Sequence, residues 1–175
     1  MRGVNAPVVI RRAGVADAAA LALITERTFT ETFGHLYPPE DLAEYLSNNC
    51  TPDSCRKLLS DPKVGAWLIG PEGSAPVGYA TAGPCKLPVE NREPKSGEVR
   101  QLYVLATHQN QRLGARLLDA ALDWLVEQNF SPLYIGVWSQ NYGAQRFYGR
   151  YGFKKVGEYG FPVGKTVDHE FILKR

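Results

Sequence analysis

The chain has 175 residues, of which 44% are hydrophobic and 22% charged, with a net charge of +2; this is the profile of an ordinary soluble globular protein, long enough to bury about 70% of its extended surface in one core. No run approaches the ~18 consecutive apolar residues of a membrane span, no Lys/Arg-rich run or stacking platform points to nucleic acid, and Met1-Arg2-Gly3-Val4-Asn5-Ala6-Pro7 lacks the apolar core of an export signal. Cys50, Cys55 and Cys85 are odd in number and lack CxxC spacing, so they read as reduced thiols of a cytoplasmic protein, one domain over residues 1–175, with no metal and no membrane partner.

In chain order, Val8-Val9-Ile10-Arg11-Arg12 reads as a first strand. Asp17 stands as N-cap of a helix over Ala18 to Phe33, in which Leu21, Ile24, Thr28 and Phe29 recur at helical spacing, and Gly34 ends it. Pro38-Pro39-Glu40-Asp41 opens a second helix through Leu42, Tyr45 and Leu46; Thr51 caps a third, with Pro52 at its first position. Val64 to Ile69 and Val77 to Ala82 read as an antiparallel hairpin about the turn Pro71-Glu72-Gly73-Ser74, and the proline-containing stretch from Pro84 to Gly97 as a surface loop.

Val99 to Leu105 then forms a strand. After a polar loop comes an amphipathic helix whose stripe is Leu113, Leu117, Leu118, Ala121, Leu122 and Leu125. Leu133 to Trp138 is another buried strand, Asn141 to Arg150 a short helix, and Lys154 to Leu173 a last pair of strands around Phe161-Pro162-Val163-Gly164. There is no internal repeat, and exposed edge strands near the C-terminus leave room for a homodimer.

The strand, loop and helix from Glu98 to Leu118 carry the first chemical signal. A helix start leaves N–H groups unpaired and bears about half a positive charge, so the loop before it suits a phosphate, and Gly114 would let that phosphate approach the backbone. An ordinary strand–loop–helix connection is the alternative on this physics alone. Gln109-Asn110-Gln111-Arg112-Leu113-Gly114-Ala115, however, resembles the Gln/Arg-x-x-Gly-x-Gly/Ala pyrophosphate loop of the GNAT superfamily of acyl-CoA-dependent N-acyltransferases, and Leu102-Tyr103-Val104 resembles the end of that family's central strand. Arg112 occupies the place of the family's first glycine. Either it has φ below zero, which would bring its cation near the phosphates, or the loop is reshaped. A second stretch matches the family signature Asn-x-x-Ala-x-x-Phe-Tyr-x-x-x-Gly-Phe through Asn141, Ala144, Phe147, Tyr148, Gly152 and Phe153.

The resemblance implies an α/β (α+β) fold: a central mixed, twisted sheet of about six to seven strands, its two parallel central strands splayed, with helices on both faces. It implies acetyl-CoA as cosubstrate. The backbone of Leu102 and Val104, beside Tyr103, would bond the pantetheine arm, the N–H groups from Gln109 to Ala115 the pyrophosphate, and Asn141, with Ala144 and Tyr148 on the same helix, the rest of that arm. Asn141 reads equally as a plain helix N-cap.

The implied reaction is direct attack of an amine on the thioester. Tyr148 matches the family tyrosine near the thioester sulfur, where a phenol suits protonation of a thiolate; a packed aromatic beside Phe147 is the alternative. Glu98 is the candidate base, since its register relative to Val104 and Gln109 matches the glutamate of histone-acetylating members; a salt-bridged residue at a strand start is the alternative.

Within the family the chain most resembles bacterial polyamine N-acetyltransferases of the PaiA type, through Thr28-Phe29-Thr30-Glu31-Thr32-Phe33, Pro39-Glu40-Asp41-Leu42, Tyr45-Leu46 and Gly136-Val137-Trp138. Glu31, Glu40, Asp41 and Glu44 with Phe29, Phe33, Tyr37 and Tyr45 would then line an acidic, aromatic cleft for a polycation, with His35 within reach. Taken singly, such acids more often face solvent and such aromatics fill the core. A protein N-terminal or lysine amine is the alternative acceptor, and a non-catalytic acyl-CoA-binding module the alternative class.

Overall fold

A computed structural model describes residues 6–175; of the stretch read above for an export signal, Met1 to Asn5 lie outside the described residues. The runs of strand and helix period become β1 (Val8–Arg12), α1 (Ala18–Phe33), α2 (Pro39–Asn49), α3 (Pro52–Leu59), β2 (Gly65–Pro71), β3 (Gly78–Pro84), β4 (Gly97–Val104), α4 (Leu113–Glu127), β5 (Leu133–Trp138), α5 (Tyr142–Arg150), β6 (Lys154–Val163) and β7 (Thr166–Lys174). The expected helix boundaries hold closely, and no helix or strand interrupts residues 85–96. Thr51 caps α3 as expected, its hydroxyl accepting the Ser54 N–H at 3.1 Å. Asp17 stands at the N-cap position of α1 as expected, but its side chain bonds no helix N–H: its carboxylate accepts the Gly14 N–H at 2.9 Å and pairs with Arg11 at 2.6 Å, closing the turn before the helix.

The strands form one mixed sheet in the order β1-β2-β3-β4-β5-β7-β6. Every neighbouring pair is antiparallel except β4 and β5. Residues from Gly65 to Gly70 and from Gly78 to Gly83 are all buried, as a sheet covered on both faces requires. Leu117, Leu118, Ala121 and Leu125 of α4 are fully buried in the main core, where α4 packs on β2, β3 and β4. Leu21 and Ile24 of α1 join the same core, and α1 is backed by α3.

Two local features shape the middle of the sheet. The parallel strands β4 and β5 pair only at Gly97 with Leu133 and Glu98 with Tyr134. Just beyond, Ala82 pairs with Val99 but Thr81 pairs with Gln101, so Arg100 is an extra residue in β4; such a bulge bends its strand and increases its twist. The two strands part there, and burial along β4 falls from complete at Gly97 to Val99 to partial from Arg100 to Val104.

The far end of the sheet is tied back to the helices. Asp41, in the first turn of α2, accepts the Lys165 N–H at 3.1 Å, the Thr166 N–H at 3.2 Å and the Thr166 hydroxyl at 2.7 Å. The turn between β6 and β7 fits against it only because residue 164 is a glycine with φ +58°; a Cβ there would lie 2.5 Å from Asp41 Oδ1. These bonds, first that of the Thr166 hydroxyl, hold the Asp41 carboxyl below its ordinary range. Its folded pKa lies below the unfolded value, so its stabilisation is present above about pH 4 and is lost as the pH falls through the folded pKa. Asp41→Ala should therefore lower Tm at pH 7, with a deficit that narrows in thermal scans toward about pH 2.5; a deficit independent of pH would show that the carboxylate charge has no part in the link.

Candidate active site

Where β4 and β5 part, a cleft of about 1070 Å³ opens through the sheet. On the β4 side its wall is main chain. The Leu105 N–H donates to the Val77 carbonyl at 2.8 Å, and strand alternation then directs the Tyr103 main chain to β3 as well, turning the N–H and C=O of Leu102 and Val104 toward the gap left by β5. Gln109 Nε2 donates to the Val104 carbonyl at 3.1 Å, which folds the loop back over the end of β4. Leu102, Tyr103 and Val104 all line the cleft.

The loop continues into α4. The first intrahelical bond is from the Arg116 N–H to the Arg112 carbonyl at 3.1 Å, which leaves the N–H groups of Leu113, Gly114 and Ala115 without helical partners. Gln109, Asn110, Arg112, Leu113, Gly114 and Ala115 line the cleft; Gln111 does not. A Cβ placed on Gly114 would meet no atom within 4 Å, so the space above this helix start is open. Arg112 has φ +60°, and Asn110 φ +61°. Of the two alternatives read for Arg112, φ below zero is corrected: the arginine adopts the left-handed conformation a glycine favours, at a steric cost of about 1 kcal/mol.

The opposite wall comes from β5 and α5. Asn141 is the N-cap of α5, its Oδ1 accepting the Ala144 N–H at 3.1 Å, and both residues also line the cleft. One turn further, Tyr148 lines the cleft while its side chain is buried. Its ring packs against Phe147 and Phe153. Among the described residues no hydrogen bond engages its hydroxyl, and burial pushes the phenol above its ordinary range.

Glu98 lies at the other end, where the paired part of β4 stops. It is 6% exposed, and its Oε2 accepts the Lys86 N–H at 2.8 Å. Burial pushes its carboxyl up, opposed by the Lys86 N–H and by the charge of Arg100. It lines the cleft, as does Arg100, whose Nη2 donates to the Pro84 carbonyl at 2.7 Å.

The expected acceptor residues divide. Phe29, Phe33, Tyr37 and Tyr45 line the cleft and cluster about Phe29, which stacks on Tyr37 and Tyr45 and meets Phe33 at a tilt. The acids read with them do not reach it. Glu31 is exposed and its Oε2 accepts the Ala106 N–H at 2.8 Å; Asp41 is committed to the β6–β7 turn; Glu40, Glu44 and His35 face solvent. Glu31 sits two residues from both Phe29 and Phe33, about 200° round the helix from each, so the face that buries the phenylalanines turns the glutamate away. The acids of the cleft are instead Glu98, Asp168 and Glu170, joined by Tyr159, Phe161, Trp138 and Lys86. Asp168 and Glu170 went unread in the sequence, although their i, i+2 spacing in a strand places both on one face. Among the described residues no group of three or more His, Cys, Asp and Glu is placed to hold a metal ion, and no helix is long and apolar enough to cross a membrane.

The model of the acetyltransferase (GNAT) family matches residues 19–153. An uncharacterized N-acetyltransferase of Lactobacillus delbrueckii subsp. lactis is 27% identical over 159 residues, covering 91% of this chain and 91% of its own length. One of Archaeoglobus fulgidus is 30% identical over 122 residues, covering 70% of this chain and 79% of its own. Among solved structures, the PaiA N-acetyltransferase from Thermoplasma acidophilum in complex with coenzyme A shares the fold, with a TM-score of 0.74 at 16% identity over 97% of this chain and 98% of that one.

Proposed function

Because the chain belongs to the GNAT family of acetyltransferases, we propose that it transfers the acetyl group of acetyl-CoA to a primary amine of a small molecule, a polyamine for preference. The observation that carries this reading is the cleft between β4 and β5, which has unpaired N–H groups at one end and a desolvated carboxylate at the other. The residues present fit acetyl-CoA. The open space over Gly114 and the three free N–H groups at the start of α4 suit a pyrophosphate, and the outward main chain of Leu102 and Val104 suits an amide-bearing arm laid along the strand. The PaiA enzyme of Thermoplasma acidophilum, whose structure holds coenzyme A, supports the same assignment by its fold.

Acetyl-CoA supplies an activated acyl group as its thioester. The chain's own residues would manage protons on either side of it. Glu98, unprotonated, accepts a proton from the acceptor's ammonium, directly or through one water, so that a neutral nitrogen attacks the carbonyl carbon. Tyr148, kept neutral by burial, gives its hydroxyl proton to the sulfur as the carbon–sulfur bond breaks, and the proton that the attacking nitrogen sheds on becoming an amide returns, directly or through water, to the phenolate. The aromatic wall of Phe29, Tyr37 and Tyr45, and the bonds joining α2 to the β6–β7 turn, favour a slim acceptor over a folded protein surface.

Thiol release from acetyl-CoA in the presence of a panel of amines tests the reading as a whole, with small di- and polyamines expected to lead; release with none of them would refute it. Tyr148→Phe should lower kcat by about 10²–10⁴-fold while leaving acetyl-CoA affinity within about twofold, and wild-type turnover would remove Tyr148 from the mechanism. Glu98→Gln should reduce kcat/KM most at low pH, where little of the amine is already neutral, and recover in part toward about pH 9.5. A profile parallel to wild type from about pH 6 upward would assign Glu98 a structural role.

A further inference from the structure

Several carboxylates of this protein have a cation beside them. Asp17 pairs with Arg11, Glu93 with Lys174, and Glu158 with Lys155 and His169. Asp168 and Glu170 on β7 are different. Both line the cleft and both are half-buried, yet among the described residues neither forms an ion pair with a Lys, Arg or His. Each has one tyrosine hydroxyl instead. Tyr159 donates to Glu170 Oε2 at 2.7 Å, and Tyr37 donates to Asp168. A phenol supplies a hydrogen bond but no charge, so a carboxylate withdrawn from water is left without a counter-ion.

The position of Glu170 is built. It pairs across the sheet with Trp138 of β5, and its carboxylate reaches back over Gly136, two residues beyond Tyr134, the last residue of β5 that pairs with β4. A Cβ at Gly136 would lie 2.7 Å from the Tyr159 hydroxyl oxygen and 3.4 Å from Glu170 Oε2. Only glycine leaves room for the pair at the point where β5 has left β4. Burial first, and then the charge of Glu170 and more weakly that of Glu98, push the Tyr159 phenol above its ordinary range. The surrounding wall of Tyr37, Tyr45, Phe161 and Trp138 is aromatic, a surface that attracts alkylammonium groups.

We infer that Glu170, oriented by Tyr159 over Gly136 and seconded by Asp168, is the counter-ion for a second cationic group of the acceptor, the one that is not acetylated. The reacting nitrogen then lies by Glu98, and the retained ammonium fills the cleft beside Glu170. The assignment rests on the acetyl-transfer reading above and adds to it the residue that selects among amines. Glu170 touches substrate without sharing in proton transfer, so its effect falls on acceptor binding.

The test compares two acceptors with the same five-carbon chain, 1,5-diaminopentane and pentylamine, with wild type and Glu170→Gln. The amide keeps the shape and can still accept from Tyr159. The substitution should raise KM for the diamine by about 10- to 100-fold with little change in kcat, and leave the kinetics of pentylamine within about twofold of wild type, which also shows that the variant is folded. An unchanged KM for the diamine, or an equal loss with both acceptors, would overturn the assignment while leaving acetyl transfer intact. Failure of wild type to acetylate these two and every other amine of the panel would refute the transfer reading and this assignment with it.

Discussion

The whole site depends on two parallel strands that stop pairing. β4 and β5 hold together through Gly97 and Glu98 and then part, with the extra residue Arg100 bending β4 away. Main-chain N–H and C=O groups are obligatory hydrogen-bonding groups, and a sheet interior with two facing rows of them unpaired is costly unless something else satisfies them. At Val104 the Gln109 side chain does so in part. For the rest, the gap offers a strand-like edge to a linear ligand. The fold thus obtains a binding groove by withholding a few ladder bonds, without adding a pocket to its surface.

Packing on both sides supports the two strands around that gap. On one side α4 anchors β4 through side chains that are completely buried. On the other, β5 is kept in place by its antiparallel pairing with β7 along its whole length, from Tyr134 to Trp138. Phe33 lies across the two strands, meeting Tyr103 of β4 and Trp138 of β5 edge-on at 6.2 and 6.0 Å. Such edge-to-face aromatic contacts are directional as well as apolar, so α1 sets the spacing of the strands as well as covering the sheet.

The cleft has opposite electrical character at its two ends. Free N–H groups at the start of α4 make one end receptive to anions. Glu98, Asp168 and Glu170 make the other receptive to cations, and burial raises the carboxyls of Glu98 and Glu170. A raised carboxyl pKa means that above the ordinary carboxylate range the folded state carries charge less well solvated than in the unfolded chain, which costs stability. Under the proposed transfer reading, an acyl-CoA and an ammonium-bearing acceptor would each be drawn to their own end, with the reacting atoms meeting where the strands diverge.

What was legible in the sequence was what neighbours along the chain decide. Strand and helix period, the Thr51 and Asn141 caps, the loop from Gln109 to Ala115 and the signature from Asn141 to Phe153 are local patterns, and they sufficed for the elements, the fold class and the family. Three matters were left to the tertiary structure. The handedness of Arg112 followed from how the loop must turn between β4 and α4, which overrode the residue's own preference. Asp17 bonded to Arg11 and Gly14 once β1 lay beside the turn. Besides Glu98 of β4, the acids of the cleft came from β7 at the far end of the chain and not from α1 and α2, because Glu31 is carried away by the helical turn that buries Phe29 and Phe33, while Asp41 is taken up by the β6–β7 turn. A carboxylate's chemical role depends on its burial and on the charges facing it, and both are set by strands distant in sequence that only the folded sheet brings together.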